Sequence, residues 1–536
     1  MSNDAIKHLA SAPTLARGSD QGRTAGDAEA RERTIVGTVS LVVTLAILLI
    51  VTVSGWVALY RWYGLFEHRD HTHFAFEKIP GGFDSPVLRQ TALVFLCLTA
   101  AYVIAVHTLR SAGSLPLPAK VLVAALVGGP AIACVLLYPV GALDVFNYMI
   151  EIKLAFHYDQ NPYLVTFAAY RDDPFALPAF LVDITLFYGP AWLLSMWIPA
   201  AIAGLHDVVQ TLIALKVFNL VLLTVTGLLI ARARSASLPG WTAAALFLAN
   251  PLVLFEGVAN AHNDVLLTVF LVAAMVALRH RSPLAGPLLA LSALVKLYPV
   301  ALAPIFVVVA LKDRWGWRRI ALALGLTAIV VAATCAPYWG DGKLVDGMRS
   351  GLEESQIMDH VSPFSLAQQY AQQREAEGRP DATFFLGRPS AEVLPESTSA
   401  TLRTAFTAAF AIGTLLLAAA VWRGHPPELA AAETLLLLLL LMTNLYGWYL
   451  IPVFALLALR PDRLGSAYIM VATALGLVYY PMFVYAHFNT TWSRFEVHQF
   501  LALFLTLPIV LYLLARLALR RRPGGDVFDV PAPAGG

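Results

Sequence analysis

The segment Gly141-Ala142-Leu143-Asp144-Val145-Phe146-Asn147-Tyr148 follows an apolar run and sets a carboxylate where that run gives way to a polar loop. Beside aromatic side chains and short of water, a carboxylate ionises less readily. Its pKa then rises toward the value a general base needs at neutral pH. On position alone, a helix cap also accounts for Asp144. The same loop continues through Asn161-Pro162-Tyr163 to Tyr188-Gly189-Pro190. A second polar group, Glu256-Gly257-Val258-Ala259-Asn260-Ala261-His262-Asn263-Asp264, interrupts apolar sequence. It holds more hydrogen-bonding side chains than a connector requires, and these suit sugar hydroxyls, a phosphate, or the cap of the next helix.

Two cations sit within apolar sequence, where an ammonium is costly unless paired or hydrated. Lys296 lies in Val295-Lys296-Leu297-Tyr298-Pro299, and Lys216 in Leu215-Lys216-Val217. A lipid phosphate is one natural partner. A buried ion pair, or snorkelling to the interface, is the other account. The aromatic group Tyr446-Gly447-Trp448-Tyr449 can stack on a sugar face or anchor at the membrane interface.

The elements that must carry these residues follow from composition. Of 536 residues, 58% are hydrophobic and 13% are charged, about half the charged share of a soluble domain. Lipid must therefore cover most of the chain. The expected class is an all-α, polytopic transmembrane helical bundle. Apolar runs at 35–59, 88–107, 119–139, 208–231, 241–255, 265–277, 320–336, 402–422, 467–484 and 500–519 read as simple spans. The stretches 283–311 and 431–459 read as hairpins of two short helices, with tips near Lys296–Pro299 and Tyr446–Tyr449. Together these give about 10–14 membrane helices.

Basic loops at Arg31 and Arg33, Arg110 and Lys120, Arg279 and Arg281, Arg318 and Arg319, and Arg460 and Arg463 mark the inner side. Both termini are then cytoplasmic, and the polar clusters face outward. Long outer loops fall at 140–206 and 338–401, with 188–205 lying in the outer interface. The acidic residues of the second loop show no spacing that selects one of them. Residues 1–33 read as a disordered cytoplasmic tail, 34–522 as the membrane domain and 523–536 as a second tail. Cys97, Cys134 and Cys335 stand in or beside apolar runs as small hydrophobes. No metal-ligand spacing, phosphate-binding loop, dinucleotide fingerprint or serine elbow is visible.

Taken in order, these motifs resemble the GT-C superfamily of membrane glycosyltransferases that use polyprenyl-phosphate sugars. The nearest likeness is to bacterial polyprenyl-phosphate-mannose-dependent mannosyltransferases, including the α-(1→6)-mannopyranosyltransferases. The residues that carry it are Asp144 and Tyr148, Asn161-Pro162-Tyr163, Tyr188-Gly189-Pro190, Asn250-Pro251-Leu252-Val253, His262-Asn263-Asp264, and Val295-Lys296 with Tyr298-Pro299. The resemblance implies a hexosyltransferase that moves mannose from a polyprenyl-phosphate carrier to an extracytoplasmic lipid or glycan acceptor, with inversion.

Asp144 would be the catalytic base. Lys296, with Lys216, would hold the phosphate. His262, Asn263 and Asp264 would orient the sugar or phosphate. Tyr148, Asn161, Tyr163, Tyr188, Tyr298, Trp448 and Tyr449 would complete the substrate site. No cofactor, metal or nucleic acid is expected; the partners are the donor, the acceptor and membrane lipids. A transporter or flippase is the competing reading of the broken helices and intramembrane lysines. It predicts a repeat between the two halves, and none is apparent.

Overall fold

The computed structural model describes residues 18–68, 85–112, 115–233, 239–355, 362–364, 367, 384–385, 388–389, 396–442, 445–492 and 494–520. Half of the loop expected over 338–401, the tail expected over 523–536 and residues 1–17 lie outside the described residues. The regular structure of the described residues is helical apart from one two-residue antiparallel ladder, Phe384–Phe385 with Arg388–Pro389, and an isolated bridge between Gly64 and Leu137.

In chain order the helices are α1 (Gly18–Tyr63), α2 (Ser85–Ser111), α3 (Leu117–Val135), α4 (Asp144–Phe156), α5 (Pro190–Ser195) and α6 (Trp197–Ala203). Next come α7 (Val208–Arg232), α8 (Gly240–Leu248), α9 (Pro251–Leu254), α10 (Asp264–Arg279), α11 (Ala285–Ala293) and α12 (Ala303–Lys312). The remainder are α13 (Trp317–Cys335), α14 (Lys343–Ser355), α15 (Glu396–Trp422), α16 (Pro427–Leu441), α17 (Leu450–Leu459), α18 (Arg463–Asn489) and α19 (Arg494–Arg520). The first helix reaches back to Gly18 and so overlaps the tail expected over 1–33; its apolar part is Gly37–Tyr63.

Among the described residues, eight helices are long and apolar enough to cross a membrane, and a bent pair makes up to nine. The eight coincide with eight of the expected simple spans. The other two differ for physical reasons. The run at 241–255 breaks by 55° between Gly240–Leu248 and Pro251–Ala259. Pro251 supplies no N–H at the start of α9, and the Asn250 side chain takes the freed donors instead, accepting from Leu252 N at 2.9 Å and Val253 N at 3.2 Å. The run at 265–277 becomes α10, whose 16 residues rise only about 24 Å against a hydrocarbon core of about 30 Å.

Both expected hairpins form. Helices α11 and α12 meet around 294–302, and α16 and α17 around 442–449. Every residue of α17 is buried, so the second hairpin runs through the middle of the bundle. Helix α13 does the opposite, presenting Leu322, Leu324 and Ile329 outward, as a helix facing hydrocarbon does. The apolar stretch after Tyr188 forms the short helices α5 and α6, which end at Gly204 in the left-handed region (φ +70).

Candidate active site

Four pieces of chain converge on one place: the start of α4, the turn before α10, the tip of the α11–α12 hairpin and the tip of the α16–α17 hairpin. Asp264, in the first turn of α10, is completely buried and uses both carboxylate oxygens. Oδ2 accepts from Lys296 Nζ at 2.6 Å, and Oδ1 accepts from Tyr298 Oη at 3.0 Å. The Lys296 side chain keeps 12% of its surface exposed. Its ammonium lies 5.4 Å from the centre of the Tyr188 ring and 5.1 Å from that of Tyr449, so two aromatic faces flank the cation. Tyr298 meets Tyr449 edge-on at 6.0 Å.

The backbone fixes this arrangement. Gly189 N donates to Val295 O and Ala191 N donates to Leu294 O, both at 3.0 Å, which pins Tyr188 against the hairpin tip. A Cβ on Gly189 would lie 2.0 Å from Leu294 O, so this approach requires glycine. Tyr163 Oη donates to Tyr188 O at 2.9 Å, and Asn161 Oδ1 accepts from Tyr163 N at 3.1 Å. Asn161 and Tyr163 therefore stand one layer behind Tyr188. The Tyr148 ring meets Tyr188 and Trp192 edge-on, each at 5.3 Å.

Asp144 opens α4 half-buried, and its carboxyl is met by its own backbone N–H but by no side-chain hydrogen bond or ion pair among the described residues. Burial pushes its carboxyl up to about 6, with the nearby Lys296 ammonium pulling the other way. The preceding loop is held by Gly141 N, which donates to Asn260 Oδ1 at 3.1 Å. A Cβ on Gly141 would come within 2.4 Å of Asn260 Nδ2. A second glycine thus ties the Asp144 segment to the turn that carries Asp264.

That turn is itself built from polar side chains. After α9 the helix widens to a π turn over Phe255–Ala259, and Ala261 then takes positive φ (+55). Asn260 Nδ2 donates to Glu256 Oε2 at 2.9 Å, and His262 Nε2 stands 3.4 Å from the same oxygen. The His262 ring stacks on Trp448 at 4.0 Å, and Trp448 on Tyr446 at 4.4 Å. Asn263 is 3% exposed, and neither end of its amide has a hydrogen-bond partner among the described residues. Buried polar groups are rarely left so.

Of the expected site residues, Asp144, Tyr148, Tyr188, His262, Asn263, Asp264, Lys296, Tyr298, Trp448 and Tyr449 come together. Asn161 and Tyr163 support them. Lys216 is not brought to the pair: its ammonium is fully buried and donates to the carbonyl of Leu137. One turn further along α7, Asn219 Nδ2 donates to Gly257 O at 2.9 Å and His262 O at 3.0 Å, so this face of α7 braces the turn from behind. Asn219 was not singled out in the sequence, although its spacing from Lys216 within an apolar helix was a usable signal. Trp192 and Glu151 were also missed. Among the described residues, no three His, Cys, Asp or Glu side chains are grouped to hold a metal ion.

Two family models match the chain. One, described as "Alpha-(1->6)-mannopyranosyltransferase, N-terminal domain", spans residues 44–312 and so includes Asp144, Asp264 and Lys296. The other, "Glycosyltransferase family 87", spans residues 186–443. No curated protein and no solved structure matches.

Proposed function

Because the chain belongs to the α-(1→6)-mannopyranosyltransferase family, we propose that this membrane glycosyltransferase moves mannose from a polyprenyl-phosphate carrier to an extracytoplasmic lipid or glycan acceptor. The observation that carries the reading is a carboxyl without a side-chain partner, Asp144, pushed up to about 6 by burial and standing near a cation flanked by two tyrosine rings. A base and an anion site so close together are what displacement of a phosphate by a hydroxyl requires.

Asp144 takes the proton of the acceptor hydroxyl as that oxygen attacks the anomeric carbon from the face opposite the phosphate. The carbon–oxygen bond to the phosphate breaks, its electron pair leaves with polyprenyl phosphate, and the configuration inverts. Lys296 has three N–H donors and gives one to Asp264, which leaves donors for the phosphate. Asp264 and Tyr298 hold that ammonium in place. Asn263, its amide without a partner among the described residues, faces a hydroxyl of the sugar, while His262, Trp448 and Tyr449 wall the site. The site lies on the outer side of the membrane and both termini lie inside, in keeping with the basic loops.

The test is transfer of radiolabelled mannose from polyprenyl-phosphate mannose to a mixed glycolipid acceptor, with purified protein in liposomes and Asp144→Asn as control. Label reaching the acceptor only with the native protein supports the reading. A native protein inert with mannose-, glucose- and arabinose-linked donors overturns it.

A further inference from the structure

Helix α4 carries more polar side chains than Asp144 requires. Asp144, Tyr148 and Glu151 follow one stripe of the helix at i, i+4 and i+7, and Asn147 adjoins Glu151 at i−4. Asn147 is 2% exposed and Glu151 is 7% exposed. Asn147 Oδ1 accepts from the backbone N–H groups of Phe180 and Leu181, both at 3.0 Å. Those two donors settle which end of the amide is oxygen, so the free end is the donor Nδ2. It has no hydrogen-bond partner among the described residues, and neither has Glu151 Oε2.

Among the described residues no cation pairs with Glu151. Lys153, two residues on, pairs with Asp173 at 2.7 Å and lies over the Phe175 ring at 4.0 Å. The Glu151 carboxyl instead lies within electrostatic range of Tyr163, Tyr188 and Asp144. Burial first, and the Asp144 charge second, push it well above the usual carboxylate range. A free amide N–H and a neighbouring free carboxyl oxygen, four residues apart on one face, make a matched pair. A hydroxyl fits both, accepting from Asn147 Nδ2 and donating to Glu151 Oε2.

We propose that Asn147 and Glu151 form a subsite for a hydroxyl of the acceptor glycan, on the same helix as the catalytic carboxylate. The inference rests on glycosyl transfer at Asp144. Seven residues of helix separate Asp144 from Glu151, about 10 Å along the axis. A hydroxyl held there belongs to the acceptor beyond its reacting hydroxyl. Segment 180–188 holds Asn147 through the two N–H groups of Phe180 and Leu181, which ties the subsite to the loop that places Tyr188.

Initial rates in liposomes would be measured against acceptor concentration at saturating polyprenyl-phosphate mannose, and against donor concentration at saturating acceptor. Glu151→Leu should raise the acceptor KM tenfold or more and leave the donor KM within twofold. Asn147→Asp keeps the oxygen that holds Phe180 and Leu181 and puts a carboxylate oxygen, an acceptor only, in place of the free N–H2. It should do the same, and it decides the matter if Glu151→Leu does not fold. An unchanged acceptor KM in a folded variant, with a lowered Tm as its only effect, would mean that the pair holds structural water, and it overturns the subsite. A native protein that transfers no sugar overturns the parent reading, which separates the two failures.

Discussion

Asp144 must be ionised to accept a proton, and its folded pKa lies near 6 against an ordinary 3.8. Turnover should therefore hold above about pH 6 and fall about tenfold per unit below it. Asp144→Asn should lose at least ~100-fold of turnover, the usual size of a lost general base, and should flatten that profile. Stability runs the other way. A carboxyl whose folded pKa is raised contributes most below its unfolded value, and that contribution is lost as pH rises through 6. Asp144→Asn should then raise Tm, by more at pH 7.5 than at pH 5. A variant that kills turnover and lowers Tm at both values would make Asp144 a structural residue.

The Asp264–Lys296 pair admits a similar separation. Lys296→Met strands a buried carboxylate and should cost on the order of 3 kcal/mol, together with all turnover. Adding Asp264→Asn should restore Tm without restoring turnover, because a neutral pair packs well but holds no phosphate. Normal transfer by the double variant would show that the ammonium serves only Asp264.

At the scale of elements, the site depends on backbone contacts between pieces far apart in sequence. Gly189→Ala places a methyl where Leu294 O now lies. The two hydrogen bonds from the Tyr188 segment to the hairpin tip should open, and Tyr188 should leave the Lys296 ammonium. Turnover should drop more than tenfold while Gly128→Ala, a glycine in α3 with open space around it, has no effect; liposome transfer and Tm together check this.

The sequence made the elements legible where composition alone determines them, in the eight long apolar helices and the two Pro- or Gly-interrupted hairpins. The bend at Asn250–Pro251 went unread although that dipeptide interrupts the apolar run 241–255, because its geometry depends on Asn250 reaching Thr473 in α18 as well as its own helix start. Asp264 and Lys296 were each visible as a candidate, but their pairing spans 32 positions and only the packed fold supplies it. Glu151 and Asn147 escaped notice because, read as a string, they are ordinary polar positions on a short amphipathic helix. Their meaning comes from having no partner once buried. Lys216 was legible as an unusual cation, yet its neighbour turned out to be the carbonyl of Leu137.

At the scale of the molecule, the polar centre is separate from a set of charged contacts at helix ends, which the basic loops mark as one rim. The centre is built on the segments 140–206 and 256–264 and the two hairpin tips. The rim includes Arg279 with Glu428 at 2.6 Å, and Arg516 with Asp462. It also includes the turn between α12 and α13, where Arg318 lies over Trp317 and Arg319 over Trp315. An arginine–tryptophan cluster of this kind suits an anionic headgroup layer. If the rim is cytoplasmic, the centre opens outward, where a membrane-impermeant reagent can reach its loop. Asp172 and Arg318 are both exposed and belong to these two parts of the molecule. With Cys97 changed to serine, Asp172→Cys should react with an impermeant maleimide in intact cells, and Arg318→Cys should react only after permeabilisation. The reverse pattern would put sugar transfer on the cytoplasmic face, and the donor would then have to present its sugar from the inner leaflet.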